Sequence, residues 1–272
     1  GYDLIPFLPY LYLDLGETGK YIRQDYYEVV TQLYAEAFFK QIGTWCREHG
    51  ISFTGHILPE ENLILHAAFQ GNIYPLLRNM DIPGIDMLSS DPNNILNGGG
   101  FIAPKIVSSI AHISGKNLVM SETSDWSEQN LSKKATLKEM IGTANLLYTL
   151  GINIITSYYD WREREDIYPL YCEYIAQIGA NLRGGNHVCD IGVLYPIRSI
   201  WSNYLPTDKP FNEGEISVIL KDINIDFIDL CRLLLTNQLD FDIIDEEGIL
   251  ESIISNGELR IANENYKIII CP

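Results

Sequence analysis

The chain is poor in positive charge. Its 272 residues carry 19 Lys and Arg against 36 Asp and Glu, a formal net charge of −17. That deficit argues against a nucleic-acid backbone or an anionic membrane as partner, since both reward cationic side chains. A neutral ligand such as a sugar is compatible with it. No apolar run reaches the roughly 18 residues of a membrane-spanning helix, and no signal peptide is present. Cysteines are few and widely spaced: Cys46, Cys172, Cys189, Cys231 and Cys271 form no CxxC pair. Neither a zinc ribbon nor a disulfide framework is expected, and the five read as buried free thiols. No GxGxxG follows the first strand of the C-terminal part, where the loop is Tyr195-Pro196-Ile197-Arg198-Ser199. A dinucleotide site is therefore not expected. The chain also lacks a GxSxG nucleophile elbow and any histidine pair at the spacing of a catalytic zinc site. The first residue is Gly1 rather than Met, so the chain reads as a fragment of a longer protein.

What is present is an alternation of helical and strand patterns, in a chain whose 46% apolar content can fill a sizeable core. Tyr26, Val30, Leu33, Tyr34, Ala37, Phe38, Ile42 and Trp45 recur at three- and four-residue spacing, which predicts a helix over 22–48 ending at Gly50. Strands are expected at 51–58, 82–88, 117–120 and 152–159, with helices after Asn62, over 103–114, 136–150 and 167–182. Helices that stop at glycine and lead straight into short apolar strands imply parallel pairing under a helical cover. Four such strands are half of an eight-stranded (β/α)8 TIM-type barrel. A second alternation follows: strands at 189–196, 241–244 and 267–271, helices over 223–237 and 246–255, and a minor strand near 259–262. It reads as an incomplete open, doubly wound α/β domain. The predicted division is 1–186 for the half barrel and 187–272 for the second domain.

In a parallel barrel the groups at the C-terminal ends of the strands share one rim. Those ends carry His56 with Glu60 and Glu61, then Asp86, then Glu122 with Asp125 and Trp126, then Tyr158, Asp160 and Trp161. Two carboxylates across a glycosidic bond perform acid–base hydrolysis, and aromatic faces suit sugar rings. Each residue also has a structural reading. His56 is a ligand-binding group or a hydrogen-bonded rim histidine. One of Glu60 and Glu61 is helix N-terminal charge. Asp86 binds substrate or caps a loop. The two tryptophans stack on a ligand or pack beneath the rim. His49, His66, His112 and His187 are read as background.

The opening Gly1-Tyr2-Asp3-Leu4-Ile5-Pro6-Phe7-Leu8-Pro9 resembles a segment of bacterial glycosidases related to the α-L-rhamnosidases of glycoside hydrolase family 106. The resemblance continues through Thr54-Gly55-His56 with Glu60-Glu61, Ile82-Pro83-Gly84-Ile85-Asp86, Ser121-Glu122 and Gly151-Ile152-Asn153. It extends to Val193-Leu194-Tyr195-Pro196 and the 240–245 stretch. It implies the C-terminal half of a glycosidase barrel followed by a flavodoxin-like domain. It further implies an exported bacterial enzyme, periplasmic or secreted, that degrades plant polysaccharide with inversion and holds calcium near the sugar. Glu122 would correspond to the glutamate after the seventh strand, the general base, and the acid would precede Gly1. Ser157-Tyr158-Tyr159-Asp160-Trp161 stands where relatives carry a histidine and a long insertion, so rhamnose specificity does not follow.

The expected function is therefore that of a glycoside hydrolase fragment with Glu122 as base or nucleophile. The alternatives are a non-catalytic carbohydrate-binding or scaffold protein on a degenerate barrel, and a small-molecule-binding α/β domain. Exposed strand edges in such a fragment would invite pairing with a second copy.

Overall fold

Two parallel sheets carry the α/β architecture of the computed structural model, which describes residues 2–272 apart from the Glu213 side chain. Gly1, the first residue of the opening motif, lies outside the described residues. The first sheet contains β1 (Thr54–Gly55), β2 (Ile82–Met87), β3 (Met120–Thr123) and β4 (Ile154–Ser157), all parallel and in chain order. Helices connect them, as parallel pairing requires: Leu63–Phe69 and Tyr74–Leu77, then Pro92–Asn97 and Ile102–Ile113, then Trp126–Gln129 and Leu137–Thr149. Gly84 lets β1 and β2 approach closely, because a Cβ there would lie 2.6 Å from the Gly55 carbonyl oxygen.

The second sheet has the order β10 (Ile268–Ile270), β5 (Ile191–Leu194), β6 (Asp242–Ile244), again parallel. A small antiparallel sheet of β7 (Ile253–Ser255), β8 (Glu258–Ile261) and β9 (Glu264–Tyr266) precedes β10. Helix Ile102–Ile113 touches both β2 and β6 and is buried almost all round. Its Ser109 Oγ accepts the Ile243 amide at 2.8 Å. One apolar core runs from Ile85 and Ile110 to Val193, Phe227 and Ile243. Helix Glu17–Tyr34 packs on helix Ile197–Asn203, where the buried Arg23 guanidinium donates to the Ser202 and Tyr10 carbonyls. The expected division at 186/187 falls in the connection between helix Tyr168–Leu182 and β5.

Four local expectations need correction. The strand expected over 51–58 pairs only at Thr54–Gly55, because the Ile57 amide is taken by Glu60 Oε1 at 3.1 Å instead of a ladder. The strand expected over 117–120 is displaced to Met120–Thr123. The Asn153 side chain supplies the sheet's partners before it, accepting from Val119 N at 2.9 Å and donating to Asn117 O at 2.7 Å. Glu122 is thus within the strand, not beyond its end. The helix expected over 246–255 stops at Leu250, and Ile253–Ser255 is β7. Asn256 (φ 54°) and Gly257 (φ 80°) form the two-residue turn that joins β7 to β8, a geometry that Asn-Gly favours. Of the five thiols only Cys46, Cys189 and Cys231 are buried; Cys172 is part-exposed and Cys271 exposed. The long helix is continuous as expected, but its middle, Ala35–Lys40, is π-helical, and nothing in its sequence accounts for that.

A candidate carboxylate site on the first sheet

Successive side chains of a strand point to opposite faces. In β3, Ser121 and Thr123 are fully buried, and Glu122 between them is part-exposed. In β2, Ile85 and Met87 are buried around a part-exposed Asp86. The register pairs Asp86 with Glu122, so the two carboxylates stand side by side on one face. His56, immediately after β1, completes the group. Its Nε2 lies 3.7 Å from Glu122 Oε2 and its Nδ1 3.6 Å from Glu60 Oε1. These are ion-pair distances rather than hydrogen bonds. One donor atom from each of His56, Asp86 and Glu122 lies within 4.8 Å of the others.

Glu60 is behind this group, 1% exposed, with Oε2 unpartnered. Burial pushes its pKa up to about 7. Its main chain is fixed by a buried relay. The Glu60 carbonyl can only accept, so His66 Nε2 donates to it at 2.8 Å, and His66 Nδ1 accepts from the Tyr195 hydroxyl at 2.7 Å. Burial lowers the His66 pKa to about 4, which keeps the ring neutral for this role. The Glu60 carboxylate raises the pKa of His56 despite desolvation, and Asp86 and Glu122 add to the effect. Asp86 is raised by burial first, then by Glu122 and Glu61. The Asp86 Oδ1 and His56 Nδ1 atoms are buried without hydrogen-bond partners. His56, Glu60 and Asp86 therefore hold their protons to higher pH than free side chains do.

Glu61 and Asp86 face a cavity of about 260 Å³ shared with Leu58, Ser89, Asn94 and Ser127. Trp126, Tyr158 and Trp161 are exposed on the segments that follow β3 and β4. Trp161 lies under the Arg162 guanidinium at 5.0 Å, and exposed Asp160 caps the turn between them by accepting the Arg162 amide at 3.0 Å. Asp125 is placed differently from the expectation of a rim ligand. It is fully buried, ion-paired with buried Arg164, and accepts from the Ala135 amide at 2.9 Å and Gln129 Nε2 at 2.7 Å. Its oxygens hold the loop after β3 rather than facing a ligand.

The structure thus gathers His56, Glu60, Glu61, Asp86 and Glu122, and leaves the aromatic residues and Asp160 on neighbouring loops. His66 and Tyr195 were not assigned from sequence, because only the fold brings them to Glu60. The set His56, Asp86 and Glu122 fits calcium poorly, since that ion takes six to eight oxygen ligands and one of these three donors is an imidazole.

No protein-family model matches the chain, and no curated protein matches its sequence. Among solved structures, a rhamnosidase from Novosphingobium sp. PP1Y has a similar fold, with a TM-score of 0.60 and 16% identity over 100% of this chain. The chain spans 26% of that protein's length. The relationship is a distant one of fold.

Proposed function

We propose that residues 1–186 are the second half of a (β/α)8 glycosidase barrel, that 187–272 begin a flavodoxin-like domain, and that the His56–Asp86–Glu122 group is part of a glycoside-hydrolysing centre. The four parallel strands in chain order and the fold shared with a rhamnosidase support the first part. The second sheet, read as β6-β5-β10, has the 2-1-3 order of flavodoxin-like sheets, which supports the second. The single observation that carries the functional reading is the Asp86–Glu122 register pair with His56 against it.

Their spacing supports a division of roles. Donor atoms of Asp86 and Glu122 lie within 4.8 Å. That is short of the ~6.5–9.5 Å of an inverting pair, and the two are register partners on one face. The two are therefore neighbours on one side of the sugar rather than opposed across the bond. Glu122 is the working carboxylate, removing a proton from the attacking water or itself attacking the anomeric carbon. Asp86 and His56 bind sugar hydroxyls and hold Glu122 in place. Glu60 is too buried to meet substrate and positions His56. The proton donor to the leaving oxygen belongs to a segment outside residues 1–272. Trp126, Tyr158 and Trp161 supply stacking faces.

Incubation of the complete protein with a panel of aryl glycosides, rhamnosides included, tests the reading. Release of the phenol from at least one member supports hydrolysis. Saturable sugar binding with no release from any member would make the chain a carbohydrate-binding module instead.

A further inference from the structure

We infer that His187, Asp242 and Glu264 form a binding site for a divalent transition metal of the zinc class, separate from the carboxylate group on the first sheet. His187 precedes β5, Asp242 opens β6 and Glu264 opens β9. His187 Nδ1 lies 3.4 Å from Asp242 Oδ2 and 3.4 Å from Glu264 Oε2. Both distances are too long for hydrogen bonds to a charged acceptor. They equal the ligand–ligand edge of a tetrahedron with metal–ligand bonds of about 2.0–2.1 Å, which is about 3.3–3.4 Å. One donor atom from each of His112, His187, Asp242 and Glu264 lies within 4.8 Å of the others.

Both sides of this contact have room for a partner. The Nδ1 atom of His187 is buried and makes no hydrogen bond. Glu264 is 4% exposed, and its carboxylate receives no hydrogen bond among the described residues. The Nδ1 nitrogen and two carboxylate oxygens lie close together, and a cation between them would satisfy all three.

The surroundings are those of a supported metal histidine. His187 Nε2 donates to Asp240 Oδ2 at 2.8 Å, which fixes the ring and leaves Nδ1 as the donor atom. Asp240 is in turn held by Lys105 Nζ at 2.6 Å. Asp242 Oδ1 accepts from His112 Nδ1 at 2.8 Å, and its Oδ2 from the Tyr266 hydroxyl at 2.9 Å. A cavity of about 300 Å³ opens beside the group, with His112, His187 and Glu264 in its wall. It supplies the route for the ion and space for a water as fourth ligand. The site would clasp the segment before β5 to β6 and β9, and its chemistry is the imidazole–carboxylate donor set that suits zinc.

The test uses the whole chain after treatment with a chelator, titrated with Zn²⁺ by calorimetry and with Co²⁺ by visible absorption. The account predicts uptake of zinc that raises Tm, a four-coordinate cobalt spectrum, and at least a tenfold loss of affinity in Glu264→Gln and in His187→Gln. Circular dichroism confirms that each variant is folded; at least one of the two has to pass for the comparison, and Asp240→Asn, which loosens only the support of His187, is the milder third. Glu122→Gln should leave this uptake unchanged. A folded wild-type chain that takes up no zinc would overturn the inference and make His187 an imidazolium held by carboxylates. Uptake that survives Glu264→Gln and His187→Gln but disappears in Glu122→Gln would overturn it equally.

Discussion

Asp86 and Glu122 are register partners on adjacent parallel strands, with both carboxylates on the same face. Burial and the neighbouring Glu122 raise the cost of ionising Asp86, and nearby His56 offsets part of it. Glu60, behind them, is raised by its own burial. Its carboxyl titrates at about 7. A carboxyl whose folded pKa exceeds its unfolded one binds more protons when folded. Its contribution to stability is complete below about 4.5 and is lost as pH rises through about 7. His56, also raised, has the same sign. His66, lowered to about 4, has the opposite one, contributing above 6.5 and losing it as pH falls. Glu60→Gln should therefore remove a component of Tm that declines between about pH 4.5 and 7. Carbon-13 NMR of the Glu60 carboxyl should show a midpoint near 7; a midpoint near 4.5, with an unchanged Tm profile in the variant, would refute the placement of this group.

The Asp125–Arg164 pair is buried on both sides. Removing one charge strands the other, at a cost of about 3–5 kcal/mol. Arg164→Ala is expected to lower stability by that order in urea unfolding. The loop after β3 should then become the first site of proteolysis. A loss under 1 kcal/mol would show that water reaches Asp125.

Tyr195→Phe removes the donor to His66 Nδ1 and leaves a fully buried nitrogen unpaired. The expected loss is about 1–3 kcal/mol. Because His66 holds the Glu60 carbonyl, the His56 proton resonances should shift as well, although Tyr195 directly follows β5 of the second sheet. Unchanged His56 resonances would disconnect the relay from the site.

Gly84→Ala would place a methyl 2.6 Å from the Gly55 carbonyl and 3.2 Å from that of Met120. Backbone cannot yield there as a side-chain tip can, so a loss of about 1–3 kcal/mol is expected from overpacking. A neutral Tm would show that β1 and β2 can separate freely.

The strand–helix alternation was readable because burial of one face leaves a period in the sequence. Ile106, Ile110 and Ile113 announce their helix, and Gly115 its end. Boundaries were less readable where a side chain replaces a sheet partner. Asn153 does so ahead of β3, and this moved Glu122 from a loop into a strand. The Asn-Gly turn at 256–257 was in plain sight, but the apolar residues before it match a helix as well as a strand. His56, Asp86 and Glu122 were legible because each stands at or near the end of a strand pattern. Asp125 has the same sequence address, and its contacts with Gln129, Ala135 and, 39 residues on, Arg164 set it apart. His112, His187, Asp242 and Glu264 carry no local spacing at all, since their meeting depends on how two sheets and a ribbon pack.

The central claim is that Glu122 is the working carboxylate of a glycosidase centre. The decisive measurement is kcat/KM of the complete protein on its best aryl glycoside, wild type against Glu122→Gln, with both shown to be folded. The account predicts a fall of about 10²–10⁴-fold, carried mainly by kcat. Turnover within about twofold of wild type would contradict it and remove Glu122 from the chemistry.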